Sequence, residues 1–282
     1  MREQFEFRLF ENEARSILKD GEGEVLANGL VRVVKTERST ALFSKLRTIA
    51  LTRTIGRRHF VAAWSCARRY SRTEISEAEA FLLEIPKVFE PAGEECGTQY
   101  DETGACPTCG SGAVQRTALR LRKARIPKLD IARTIGGEIV VSSRFSSIVQ
   151  SAELEGLRLC PIEDQTPSGI AAAPAFQLIP QNCNLEVASP LSEFGIDPFD
   201  DDPTGKYRCP FGHTLGLNRT SELFVRAASR SRLDLQATSA AVGMRSGLLR
   251  PTPLLVVSPR FHTAVVNARL TGFRFEIARL VT

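Results

Sequence analysis

The chain has 282 residues, 43% of them hydrophobic, and a formal net charge of +5. That is apolar material enough for a real core, in one large domain or two ordinary ones. No apolar run approaches the roughly 20 residues of a membrane-crossing helix, and Met1-Arg2-Glu3-Gln4 leads into mixed charges rather than a signal peptide, so the sequence predicts a cytoplasmic protein with no membrane span.

Residues 1–34 alternate in places, as in Phe5, Phe7 and Leu9 and again in Leu30 to Val34. This predicts strands around the turn Asp20-Gly21-Glu22-Gly23. Between Lys35 and Arg72 the charge is one-sided: eight arginines and lysines stand between them, against Glu37 as the one acid. Residues 42–66 read equally well as helix or strand. Thr73, with Glu74 and Glu77 behind it, marks a helix start. Pro86, Pro91 and Gly93 then close an N-terminal α+β region, with a boundary expected near residue 92.

The rest of the chain is written twice. Cys106-Pro107 and Arg116-Thr117 return 103 residues later as Cys209-Pro210 and Arg219-Thr220, and Leu129-Asp130-Ile131 returns as Leu233-Asp234-Leu235. Val140-Val141-Ser142, Arg144-Phe145, Val149, Ala152, Leu154, Gly156 and Arg158 then return 116 residues later, beginning at Val256, so the second copy carries an insertion. Such fixed order points to a duplicated module. Each copy reads as strand, Ser cap, amphipathic helix, Gly turn and strand. Phe145, Ile148, Val149 and Ala152 fall on one face of the first helix, and Phe261, Ala264, Val265 and Ala268 on one face of the second, which opens on Pro259. A strand, helix and strand cannot bury that face alone. The expected fold is therefore α+β, with modules at 93–163 and 207–282 packed as one domain about a pseudo-twofold axis. Between them, residues 164–206 form a Pro-, Gly- and Asp-rich connection, longer than most; it reads as a partner-binding loop or as a surface excursion bearing a strand near Phe176 to Ile179.

Seven cysteines at irregular spacing fit reduced thiols and a metal site better than a secreted disulfide framework. Cys106-Pro107-Thr108-Cys109-Gly110 has the form of a zinc knuckle, two thiolates three apart on a turn that a glycine completes. The second copy offers Cys209 and, at the end of Pro210-Phe211-Gly212, His213. Cys96, followed by Gly97, is a fifth candidate. The expected site joins the modules through Cys106, Cys109 and Cys209 with either His213 or Cys96, holding Zn²⁺ in a closed, structural centre. A redox dithiol or unliganded thiols are the alternatives for the pair Cys106 and Cys109.

No catalytic residues stand out. The three histidines are His59, His213 and His262, and there is no phosphate loop, HExxH helix or nucleophile elbow. Two binding surfaces can be read instead. The acidic run Asp197, Asp200, Asp201 and Asp202 suits a protein partner through charge complementarity, and Arg57, Arg58, Trp64, Arg68 and Arg69 suit nucleic acid, arginines holding phosphate while a ring stacks on bases. A solvated surface is the plain alternative for both.

Residues 93–282 resemble the double-CXXCG motif proteins of bacteria and the related immunity proteins of polymorphic toxin systems. The likeness rests on CPTCG (106–110), its echo CPFGH (209–213), and the phrases IVVSSRFSSIVQSAELEGLRLCPI (139–162) and LLVVSPRFHTAVVNARLTGFRFEIA (254–278). It implies a non-enzymatic protein that neutralises a cognate toxin by binding it. The family's paired cysteines would fall on Cys106 and Cys109, and on Cys209 with His213 in place of the second cysteine.

Overall fold

The structure, a computed structural model, describes residues 1–52, 60–166, 169–189, 191–195, 199, 207–216 and 218–282. It is mixed α and β throughout, and the chain divides into two compact units: Met1–Glu77 with Gly195–Asp201, and Ala78–Phe194 with Asp202–Thr282.

The first unit is a four-stranded sheet in the order Glu24–Val25, Val31–Glu37, Arg2–Phe10, Val61–Arg69. The alternation read in the sequence sets its buried face: Phe5, Phe7 and Leu9 are fully buried, as period-two spacing requires of a strand with one face against a core. The ambiguous span contains the helix Ala41–Thr52 and the strand Val61–Arg69. The helix lays Phe43 and Leu46 on the sheet, with the Phe43 ring 4.9 Å from Phe5. Phe199, from the long connection, enters the same core, its ring stacked 5.3 Å from Phe7.

The second unit holds both modules in two sheets. One runs Val88–Phe89, Ile131–Thr134, Ile139–Ser142, Gly169–Pro180, Leu157–Thr166, Arg120–Leu121. The other runs Leu235–Val242, Thr252–Val257, Phe81–Glu84, Arg274–Val281, Leu223–Arg226. From Ile131–Thr134 and Leu235–Val242 onward, the two sheets match strand for strand and sense for sense, antiparallel except for the last pair, which is parallel. Registers match as well. Val140 faces Gln177 as Val256 faces Leu82, and Arg158 faces Ile179 as Arg274 faces Glu84. The middle strand of the second sheet thus comes from Phe81–Glu84, so the boundary expected near residue 92 falls inside this unit. Its counterpart in the first sheet is the strand that the sequence suggested near Phe176.

The helices are Ser143–Ser151 and Pro259–Asn267. Each opens on the serine expected as cap: the side chain of Ser142 accepts from the Phe145 amide at 3.1 Å, and that of Ser258 from the Phe261 amide at 3.0 Å. Each closes the same way. Glu153 and Arg269 take left-handed φ of 46° and 51°, and the amides of Leu154 and Leu270 return to the carbonyls of Val149 and Val265. That is the double backbone closure by which helices satisfy their last carbonyls, here reached without glycine. Phe145 and Phe261 are fully buried and meet at 6.2 Å.

Contacts between the two strand-helix-strand segments are reciprocal. Arg144 donates to the carbonyls of Ala268 and Arg269 at the end of the second helix, and Arg260 donates to those of Ala152 and Glu153 at the end of the first. A guanidinium placed there supplies donors to carbonyls without an intrahelical partner and faces the negative end of the helix dipole. The backbone of Ile131 donates to Thr271, and that of Leu235 to Glu155. The approach is close enough to exclude side chains: a Cβ on Gly156 would sit 2.2 Å from the Leu235 carbonyl oxygen, and one on Gly272 2.0 Å from that of Ile131.

Candidate metal centre

Cys106 and Cys109 lie on the loop between the paired strands Tyr100–Asp101 and Val114–Gln115. The loop turns on itself through Cys106 N–H to the Ser111 carbonyl and Gly110 N–H to the Cys106 carbonyl, both 2.8 Å, with Gly110 at φ 75°. The second copy builds a matching turn. Cys209 N–H donates to the His213 carbonyl at 2.9 Å, Gly212 N–H donates to the Cys209 carbonyl at 2.8 Å, and Gly212 has φ 83°. Positive φ is what glycine supplies at no steric cost. It tightens both turns so that their sulfur and nitrogen atoms converge.

The four side chains Cys106, Cys109, Cys209 and His213 meet with their ligand atoms all within 4.8 Å of one another, close enough to hold a metal ion. Cys106 Sγ is 4.0 Å from Cys209 Sγ, and His213 Nδ1 is 3.4 Å from both Cys109 Sγ and Cys209 Sγ. A tetrahedron with thiolates at about 2.3 Å and imidazole nitrogen at about 2.0–2.1 Å has edges of about 3.5–3.8 Å, so these spacings fit such an ion with little rearrangement. Cys96 is not part of the group. It ends the short 3₁₀ turn Glu94–Cys96, buried, where burial pushes its thiol above the ordinary range. His213 rather than Cys96 therefore completes the set.

The environment divides the two first-copy thiols. Burial raises Cys106, but the amides of Thr108 and Cys109 donate to its sulfur and the net result is a thiol brought down to about 6. Burial dominates at Cys109, pushing it up to about 11 alongside the neighbouring sulfurs. Thiolates and a neutral imidazole are the forms in which such groups bind a metal ion. The donor set is one that could hold a metal ion.

The insertion in the second copy reaches over this centre, a role the sequence did not disclose. Arg245 N–H donates to the Cys109 carbonyl at 2.7 Å. The Arg245 guanidinium straddles Glu94 at 3.1 Å, Arg250 bonds Glu94 and Glu102 at 2.8 Å each, and the Arg250 guanidinium lies 3.9 Å over the Tyr100 ring. The Tyr100 hydroxyl in turn donates to Glu138 at 2.5 Å. Glu94 is held below the usual carboxylate range by Arg245 and Arg250, against some burial. The one sequence signal for this clamp was the longer step between repeats after Leu233.

The nucleic-acid surface read from the sequence does not assemble as expected. Arg68 is buried, its guanidinium bonded to Glu3 at 2.9 Å, and Trp64 packs against the core of the first unit; Arg69 is exposed. A strand alternates its faces, which turns Arg68 inward while Arg69 faces solvent. Arg57 and Arg58 lie outside the described residues, as do Asp197, Asp200, Asp201 and Asp202 and the remaining candidate His59.

No family model matches the chain. Over 215 residues, 72% of its length, the chain is 25% identical to a DNA ligase of Maricaulis maris (strain MCS10), of which the aligned part is 27%. The chain therefore spans about a quarter of that relative's length. Among the described residues, no helix is long and apolar enough to cross a membrane.

Proposed function

We propose that the chain is a non-enzymatic, zinc-stapled binding protein of the cytoplasm, an immunity protein that neutralises a cognate toxin by covering it. The observation that carries this reading is the convergence of Cys106, Cys109, Cys209 and His213, whose ligand atoms lie within 4.8 Å of one another; a tetrahedral ion held by all four would be closed. With no position left for water or substrate, such an ion stabilises packing instead of activating a nucleophile. Three thiolates and an imidazole favour Zn²⁺ over hard, oxygen-seeking cations.

The matched sheets and reciprocal contacts support two copies of one module about a pseudo-twofold axis, each lending a strand to the other's sheet, Phe81–Glu84 in one direction and Gly169–Pro180 in the other. A scaffold so interlocked is rigid, and rigidity suits a protein whose work is shape and charge complementarity. Affinity capture with the tagged full chain from its native host tests the reading. One co-purifying protein whose toxicity is abolished by co-expression is the expected result; capture of no protein overturns it.

A second reading, a zinc-containing nucleic-acid-binding protein, is favoured by the likeness to a DNA ligase. It requires binding to single- or double-stranded oligonucleotides that weakens steeply with salt. Engagement of Arg68 and Trp64 within the first unit counts against it.

A further inference from the structure

The second unit contains a groove of about 750 Å³ whose floor is the first sheet, at Ala132, Val140 and Ala175, and whose walls include Ile126 and Pro127. Lys123 and Lys128 stand at its rim, both exposed. Arg122, just before the 3₁₀ turn Lys123–Arg125, and Arg125, its last residue, are exposed as well. The acids within reach are already engaged. Asp130 accepts from Ser142, Thr271 and Arg144, Glu163 accepts from Arg120, and one oxygen of Asp164 accepts from the backbone of Lys123. Among the described residues, Arg122, Lys123, Arg125 and Lys128 have no ion pair. Four cations thus stand beside an apolar floor without an ion pair among the described residues.

We infer that this groove docks an acidic, aliphatic segment of the protein partner, carboxylates against Lys123 and Lys128 and small apolar side chains over Ala132, Val140 and Ala175. The inference rests on the protein-binding reading above and names the partner's chemistry. Charge complementarity argues for acid at the rim. The floor argues for peptide over nucleic acid, because among the described residues no aromatic ring lines the groove and sequence-tolerant binding of single strands depends on stacking platforms.

Fluorescence anisotropy on the full chain tests the groove with three labelled probes: a short peptide alternating glutamate with leucine, its lysine–leucine counterpart, and an oligodeoxythymidylate. The expected result is saturable binding of the acidic peptide alone, weakened at least about tenfold by Lys123→Glu with Lys128→Glu. Lys19→Glu with Lys35→Glu, exposed residues of the first unit, makes the same change in net charge and should leave that binding intact. Thermal midpoint and metal content confirm that each variant is folded. No binding of the acidic peptide, equal binding by the groove variant, or tighter groove-dependent binding of the oligonucleotide each overturns the inference. If the groove variant still captures the native protein partner at full affinity, the inference falls and the proposed function stands. If the acidic peptide binds at Lys123 and Lys128 but no protein partner is captured, the groove stands and the proposed function falls.

Discussion

Asp130 and Asp234 make the same set of contacts in the two strand-helix-strand segments. Asp130 accepts from the cap Ser142 at 2.9 Å and from Arg144 at 3.2 Å; Asp234 accepts from the cap Ser258 at 2.6 Å and from Arg260 at 3.2 Å. Each also takes a backbone amide from the other copy, Asp130 that of Thr271 at 2.8 Å and Asp234 that of Glu155 at 3.0 Å. A single buried carboxylate so fixes the helix cap, aims the arginine at the opposing helix end and ties down the opposing turn.

Replacing either aspartate should therefore destabilise the second unit more than an ordinary cap loss does. Asp234→Ala leaves the Glu155 amide and the Arg260 guanidinium without their acceptor, a cost of about 2–4 kcal/mol. Asp130→Ala should fall in the same range, and Arg144→Ala, whose side chain is half exposed, below it. Urea denaturation of the three variants checks the order.

The close approach of the copies predicts a sharp contrast between glycines. Gly272 has φ 101° and no room for a Cβ beside the Ile131 carbonyl, whereas Gly247 has φ 56° with nothing within 4 Å. Gly272→Ala should cost more than about 2 kcal/mol because strain and collision add. Gly247→Ala should cost about 1 kcal/mol, for backbone conformation alone. Comparable thermal midpoints for the two variants would contradict the described packing.

Metal analysis of the purified chain should give one zinc ion per molecule, with Cys106, Cys109 and Cys209 protected from thiol reagents until a chelator is added. Cys109→Ser and His213→Ala should lower metal content and the thermal midpoint. Cys96→Ser should leave metal content unchanged, since Cys96 lies outside the cluster. Acidification should release the ion, because thiolates and neutral imidazole are the binding forms.

His262 gives the fold a pH dependence of its own. Its ring stacks 4.3 Å from Phe81 and meets Phe275 edge-on at 4.7 Å, and burial lowers its pKa below the ordinary 6.5. A base whose folded pKa is depressed binds its proton more readily when unfolded. Its contribution is therefore complete above about 6.5 and is lost as pH falls toward the lower folded value. His262→Phe keeps the stack and removes the proton, so its thermal midpoint should decline less than the wild type's between about pH 6.5 and 5.

Much of the centre was legible in the sequence because its signals are local. Knuckle spacing, cap serines, Pro259 and helix periodicity each depend on residues within a turn or two, and the repeat placed Cys209 opposite Cys106. Local chemistry could not choose between His213 and Cys96, since each follows or precedes a glycine near a plausible turn. Nor could it assign Arg68, whose inward orientation follows from strand pairing with Arg2–Phe10.

From the sequence alone came the α and β elements, the two strand-helix-strand segments, and three of the four side chains that cluster at the candidate metal centre, because hydrogen-bonding periodicity and turn stereochemistry are written in near neighbours. Only tertiary structure decided that His213 is the fourth member of the cluster, that Phe81–Glu84 enters the second sheet, and that Arg245 and Arg250 clamp Glu94. Those depend on which surfaces meet after the chain closes distances of about a hundred residues, and burial and charge pairing select that meeting without leaving any mark at short range.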